Sequence, residues 1–111
     1  MKKILLTGST GFIGFNLLSE LHHKNKVFLI LRNGSKNNYK IRGYKDIKII
    51  YYDEFDDLDK KLKKLTIDVV IHCATHYIRN HSYSDILELS KSNIIFGNVI
   101  LENLKSMKTK K

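Results

Sequence analysis

Three glycines at the junction of an apolar run and a helical pattern constrain this chain more than any other feature. The stretch TGSTGFIG runs from Thr7 to Gly14 and follows Ile4-Leu5-Leu6. Lys2 to Thr7 reads as a short buried strand. Phe12 to Leu21 reads as a helix, with Ile13, Leu17, Leu18 and Leu21 at helical spacing. Gly8 takes the tight turn that leaves the strand. Gly11 lets the backbone approach a bound phosphate, because no Cβ intervenes. Gly14 lets the first helical turn pack closely on the strand. The helix start then offers N–H groups and a positive dipole end to a pyrophosphate. The triplet carries weight because a strand precedes it and a helix follows.

Composition narrows the alternatives. A chain of 111 residues holds one domain at most, and 42% hydrophobic residues allow a modest core. No apolar run is long enough to span a bilayer, and the ILL that follows MKK is too short for a secretory leader. One cysteine, Cys73, excludes an internal disulfide, so a cytoplasmic setting is expected. The net charge of +9 invites a nucleic-acid reading. However, LDKKLKKL turns Leu58, Leu62 and Leu65 inward and its lysines outward, which is the pattern of a solvated helix face. No nucleic-acid motif accompanies it, and neither nucleic acid nor membrane is expected as a partner.

Strands and helices alternate along the chain. Lys26–Leu31 and Ile47–Tyr52 read as the second and third strands, and Asp57–Lys64 as a short helix. Thr66–Ala74 (TIDVVIHCA) reads as a fourth strand, continuous and apolar, as for a strand covered on both faces. A long helical pattern follows from Asp85 to Lys105, with Ile86, Leu89, Asn93, Phe96, Ile100 and Leu104 as its inward stripe. This alternation predicts an α/β fold with right-handed crossovers and a parallel sheet. The expected strand order is 3-2-1-4, the N-terminal half of a Rossmann-type doubly wound sheet that stops before a fifth strand.

Taken together, TGSTGFIG, DVVIHCAT and SNIIFGNVILE resemble the extended short-chain dehydrogenase/reductase family. They are most similar to its NAD(P)-dependent epimerases and dehydratases of nucleotide sugars. The resemblance covers nearly the whole chain but only the family's N-terminal third. It implies that Asp68 to His72, then Ala74, form the fourth-strand motif whose end lines the cofactor site. Asn93 to Glu102 is similar to the helix NVxGTxNLLE, with Phe96 in place of its glycine and Gly97 in place of its threonine. ATHYIR resembles the ATxYGR stretch of reductases that make 3,6-dideoxyhexoses, with Ile78 replacing the glycine. Residues 1–111 are thus expected to be an incomplete NAD(P)-binding domain without a substrate domain.

The resemblance implies a cofactor site. The pyrophosphate is expected at the backbone of Gly8, Ser9, Thr10, Gly11, Phe12, Ile13 and Gly14, with a hydroxyl contact from Thr10. Asp53 matches the position that contacts the adenine amino group, and Ala74 and Thr75 are expected to flank the ribose. NAD-selective sites carry an acidic residue at the end of the second strand. Here that end reads LILRNGSK, and no acidic residue occurs between Glu20 and Asp46. Arg32, helped by Ser35 and Lys36, is therefore expected to favour NADP over NAD.

Catalysis in the family depends on a Tyr-x-x-x-Lys pair, in which the ammonium lowers the phenol pKa. The only such spacing here is Tyr44 to Lys48, which precedes the third strand and reads as solvent-facing loop. No catalytic residue is therefore assigned. His72, His76 and His81 lack cysteine or carboxylate partners at ligand spacing, so no metal site is assigned. His72 reads as a satisfied core or second-layer histidine, Cys73 as a small buried residue, and Tyr51, Tyr52 and Phe55 as core and edge residues. Two functions fit. One is the cofactor-binding portion of a nucleotide-sugar enzyme, inactive alone, which meets its sugar substrate only when completed by the missing residues. The other is a stand-alone dinucleotide-binding or interaction module. An uncovered fourth strand is expected to self-associate or pair with a partner chain.

Overall fold

A computed structural model of the chain places β1 (Lys3–Thr7), β2 (Lys26–Arg32), β3 (Ile47–Tyr52) and β4 (Val69–His72) in one sheet. The order is β3-β2-β1-β4, and every pair is parallel. The structure describes residues 1–9, 11–34, 44, 47–74, 80 and 82–104. The helices are α1 (Phe12–Leu21), α2 (Phe55–Leu62), α3 (Ile86–Ser90) and α4 (Phe96–Glu102). The expected strand order and fold class are those observed.

Side chains on a strand alternate between faces, and here both faces of the central strands are covered. Leu6, Val27, Leu29 and Leu31 pack with Leu18 of α1. Leu5, Phe28 and Ile30 point the other way, into a cluster with Tyr52, Leu58, Leu62, Ile67, Phe96 and Ile100. Each fully buried side chain of this size contributes about 1.5–3 kcal/mol. α2 forms because Leu58 and Leu62 share one face, both fully buried. Asp56 and Asp57 in its first turn and Lys60 and Lys61 in its last complement the helix dipole. The ion pairs Asp57–Lys61 at 3.2 Å and Asp59–Lys63 at 2.8 Å add i,i+4 support.

The fourth strand is shorter than expected and only half-buried along Val69, Val70 and Ile71. It hydrogen-bonds to β1 and to no other described strand, so its apolar run has less cover than β2 receives. The backbone pairing nonetheless continues past both ends, from Asp68 N to Lys3 O at 2.8 Å and from Cys73 N to Thr7 O at 3.2 Å.

The long helix also departs from expectation. A 3₁₀ turn (Tyr83–Asp85) leads into α3, and a π turn (Lys91–Ile95) joins α3 to α4. There the Phe96 amide donates to the Lys91 carbonyl, five residues back. The extra residue rotates the α3 side chains relative to those of α4. Of the expected stripe, Phe96 and Ile100 are buried and Leu89 and Leu104 half-buried, but Ile86 and Asn93 are exposed. Phe96, in the place of the family's glycine, fills the core by stacking on Tyr52, with centroids 6.0 Å apart and planes within 9°. Buried Asn103 ties the end of α4 to α2 by donating to Asp59 at 2.8 Å.

Candidate functional site

The glycine turn lies at the C-terminal edge of the sheet. Gly8 has φ +75°, and a Cβ there would lie 2.7 Å from both Ala74 N and the Cys73 carbonyl carbon. A Cβ at Gly14 would sit 2.0 Å from Gly8 O. Both positions are therefore reserved by the protein's own backbone. Gly11 differs. It is exposed, and a Cβ there would meet only Gly8 O, at 3.4 Å. Its amide donates to Gly8 O at 3.1 Å and closes the turn, and its carbonyl accepts from Phe15 N at 2.9 Å.

Gly11 is also the N-cap of α1. No side chain caps that helix start, and no acidic residue lies in its first turn. Its amides and its dipole are thus available to an anion. Ser9 is fully buried, and its hydroxyl has no hydrogen-bond partner among the described residues. An orphaned hydroxyl, an uncapped helix start and a glycine with an open face suit a phosphate group. Phe12 and Ile13 are strongly exposed, and Gly11, Phe12, Phe15 and Asn16 line a shallow groove of about 340 Å³. A larger groove of about 410 Å³ lies between α2 and α4, but its rim carries Asp56, Asp59 and Glu102, which would repel an anion.

The remaining expected residues stand at the ends of neighbouring strands. Arg32 ends β2 and is exposed. Its positive charge opposes the burial that pushes the Tyr52 hydroxyl pKa up. Asp53 follows β3 and is exposed, and its amide approaches the Asp57 carboxylate at 3.4 Å. Ala74 touches the Gly8 turn. Thr10, Ser35, Lys36, Thr75, His76 and His81 lie outside the described residues.

Tyr44 is half-buried rather than solvent-facing. Its ring lies 4.6 Å from that of His22 and 6.1 Å from that of Phe15, against α1, while Lys48 sits on β3. Apolar contact with α1 holds the ring out of water, which a reading of the polar loop sequence overlooks. Among the described residues, no group of three His, Cys, Asp or Glu side chains could hold a metal ion.

One residue that shapes the turn escaped the sequence reading. Thr7 is fully buried, and its hydroxyl accepts the amides of Cys73 and Ala74, both at 3.1 Å, and meets His72 Nδ1 at 2.6 Å. The only sequence signal was a hydroxyl-bearing residue at the end of an otherwise apolar strand.

Residues 4–111 match the sequence profile of the NAD dependent epimerase/dehydratase family. The chain is 30% identical over 110 residues to CDP-abequose synthase of Salmonella muenchen, covering 98% of this chain and 35% of that protein. Among solved structures, it is similar to the UDP-N-acetylglucosamine 4-epimerase of Methanobrevibacter ruminantium, in complex with UDP-N-acetylmuramic acid. That likeness has a TM-score of 0.78 at 28% identity, over 98% of this chain and 36% of that one. The UDP-glucuronic acid 4-epimerase of Bacillus cereus, in complex with NAD, gives a TM-score of 0.75 at 28% identity, over 97% and 37%. The chain therefore spans about a third of the length of the relatives it matches. With the glycine turn, the sheet order and the profile in agreement, the chain belongs to the NAD dependent epimerase/dehydratase family.

Proposed function

We propose that residues 1–111 are the dinucleotide-binding portion of a nucleotide-sugar epimerase, dehydratase or reductase. The observation that carries this reading is the division of labour among three glycines. Gly8 and Gly14 are closed to any side chain by the fold itself, whereas Gly11 faces outward at an uncapped helix start. In this reading the amides from Ser9 to Ile13 hold the pyrophosphate, the Ser9 hydroxyl gains its missing partner, and Asp53 accepts from the adenine amino group. Ala74 lines the ribose, and Thr10 and Thr75 extend these contacts. A bound nicotinamide would supply a site for reversible hydride storage. Proton transfer to and from a sugar needs a phenol–ammonium pair. The one Tyr-x-x-x-Lys spacing here is divided between a ring packed on α1 and strand β3. Turnover and choice of sugar nucleotide are therefore assigned to residues outside this stretch.

NADP is proposed over NAD because Arg32 ends β2 with its side chain exposed and no carboxylate beside it in sequence. A bidentate guanidinium suits a 2′-phosphate. The family description and the B. cereus structure both name NAD. The second reading, a binding module that pairs with another chain, is favoured by the outer edge of β4, which is open among the described residues.

Titration of the purified full chain with NADP and NAD, followed by calorimetry, tests the proposal. NADP is expected to bind more tightly, and Gly11→Val is expected to remove binding while leaving the circular dichroism spectrum intact. Undiminished binding by Gly11→Val would refute the loop assignment, and equal or tighter NAD affinity would refute the role of Arg32.

A further inference from the structure

Beside the backbone bond from Cys73 N to Thr7 O, one hydroxyl ties the end of β4 to the glycine turn. Thr7 Oγ1 receives two N–H donors, from Cys73 and Ala74. A threonine hydroxyl carries one proton, and inside a protein that proton needs an acceptor. Thr7 is fully buried, and among the described residues the acceptor facing its hydroxyl is His72 Nδ1, at 2.6 Å. Nδ1 must therefore be unprotonated, which places the imidazole proton on Nε2. The consequence reaches the turn, because Ala74 N and the Cys73 carbonyl are the atoms that Gly8 is pressed against.

We propose that His72 is a positioning residue. Acting through Thr7, it fixes the end of β4 against the glycine turn, and it does so only as the neutral Nε2–H imidazole. Protonating Nδ1 sets two N–H or O–H donors face to face and leaves the buried Thr7 proton without an acceptor, so the clamp opens in acid. From β1 the ring meets the Thr7 hydroxyl. From α4 it meets the Phe96 ring at 5.6 Å, with Gly97 close to Nε2. Cys73 follows it just past the end of β4, and Tyr52 lies beyond Phe96. His72 is exposed as a whole residue, but partial desolvation of its ring lowers its pKa, and among the described residues no charged group contributes. The sign follows. A histidine pKa depressed by folding contributes stability that is full above the unfolded value near 6.5 and is lost as pH falls through the lowered folded value.

The test uses the ¹⁵N-labelled full chain and His72→Asn, whose Oδ1 can take the place of Nδ1 as acceptor and does not titrate. Long-range ¹H–¹⁵N spectra of the parent are expected to show His72 as the Nε2–H tautomer at neutral pH, assigned by its absence from the variant. Only the second readout, dinucleotide affinity, rests on the proposed function. As pH falls from about 7.5 through the lowered His72 pKa, the parent is expected to lose affinity at least about threefold more than His72→Asn, with similar affinities at the upper pH. The thermal midpoints of the two chains are expected to diverge over the same range. An Nδ1–H tautomer overturns the proposal, as do pH profiles that coincide for parent and variant. If neither chain binds a dinucleotide at any pH, the functional reading falls, and the tautomer and the midpoints still decide the clamp.

Discussion

The β1–α1–β2 unit and the β4–α3–α4 run are built from similarly apolar sequence, yet they differ sharply in burial. Leu5, Leu6, Leu18, Val27 and Leu29 are wholly inaccessible to solvent. In the second region no residue of β4 or α3 is buried, and Leu87 and Ile94 are each more than half exposed. Hydrophobicity does not separate the two; position in the sheet does. β1 and β2 each have a strand on both edges and helices over both faces, whereas among the described residues β4 has β1 alone. Neighbours, rather than composition, turn an apolar run into a core. The fold is therefore specified most tightly around the glycine turn and least tightly along α3.

The strongest test of that contrast is Gly14→Ala. Its Cβ would lie 2.0 Å from a backbone carbonyl oxygen that cannot rotate away. The loss is expected to exceed about 4 kcal/mol, most of a small domain's stability. Urea unfolding followed by circular dichroism checks it, and a cooperative transition near the parent's midpoint would break the comparison. Next, Leu29→Ala is expected to cost about 2–5 kcal/mol, because a cavity opens between strand and helix. Leu87→Ala, on exposed α3, is expected to stay within about 0.5 kcal/mol. Equal shifts in denaturation midpoint would show α3 to be as firmly packed as β2. The smallest effect should have the opposite sign. Gly97 lies inside α4, and a Cβ there would meet His72 Nε2 at an ordinary 3.5 Å. Gly97→Ala is expected to stabilise the chain by about 0.5–1 kcal/mol through helix propensity. A thermal midpoint that falls would mean that this helix tolerates less than its exposure implies.

The same contrast explains what could be read from the amino acids alone. The turn was legible because much of its physics is local: Gly14 meets only atoms of its own strand–helix unit and Gly8 takes a positive φ, although a Cβ at Gly8 would meet Cys73 and Ala74 at the far strand. Strand order was legible because alternation of strands and helices leaves few topologies. β4 was drawn too long because apolarity in TIDVVIHCA does not reveal how many neighbours a strand has. The inward stripe of the last helix failed at Ile86 and Asn93 because a 3.6-residue period presumes an uninterrupted α-helix. Tyr44 was misplaced because its contacts with Phe15 and His22 bridge a polar loop to a distant helix face. The clamp of Thr7 on His72 joins residues 65 positions apart, and no spacing rule reaches that far.

The π turn at Lys91–Ile95 amounts to one surplus residue in a helix that otherwise runs from Tyr83 to Glu102. Each residue of an α-helix advances the side chains by about 100°. The two halves of this rod are therefore out of phase by roughly that angle, and an apolar line followed along one half leaves the other at its flank. At their present spacing Leu89, Phe96 and Ile100 would share one face of an uninterrupted α-helix, so it is the π turn, and not the residue count, that takes them apart. A change of winding at constant length thus separates a helix with two unaligned faces from one with a single continuous seam.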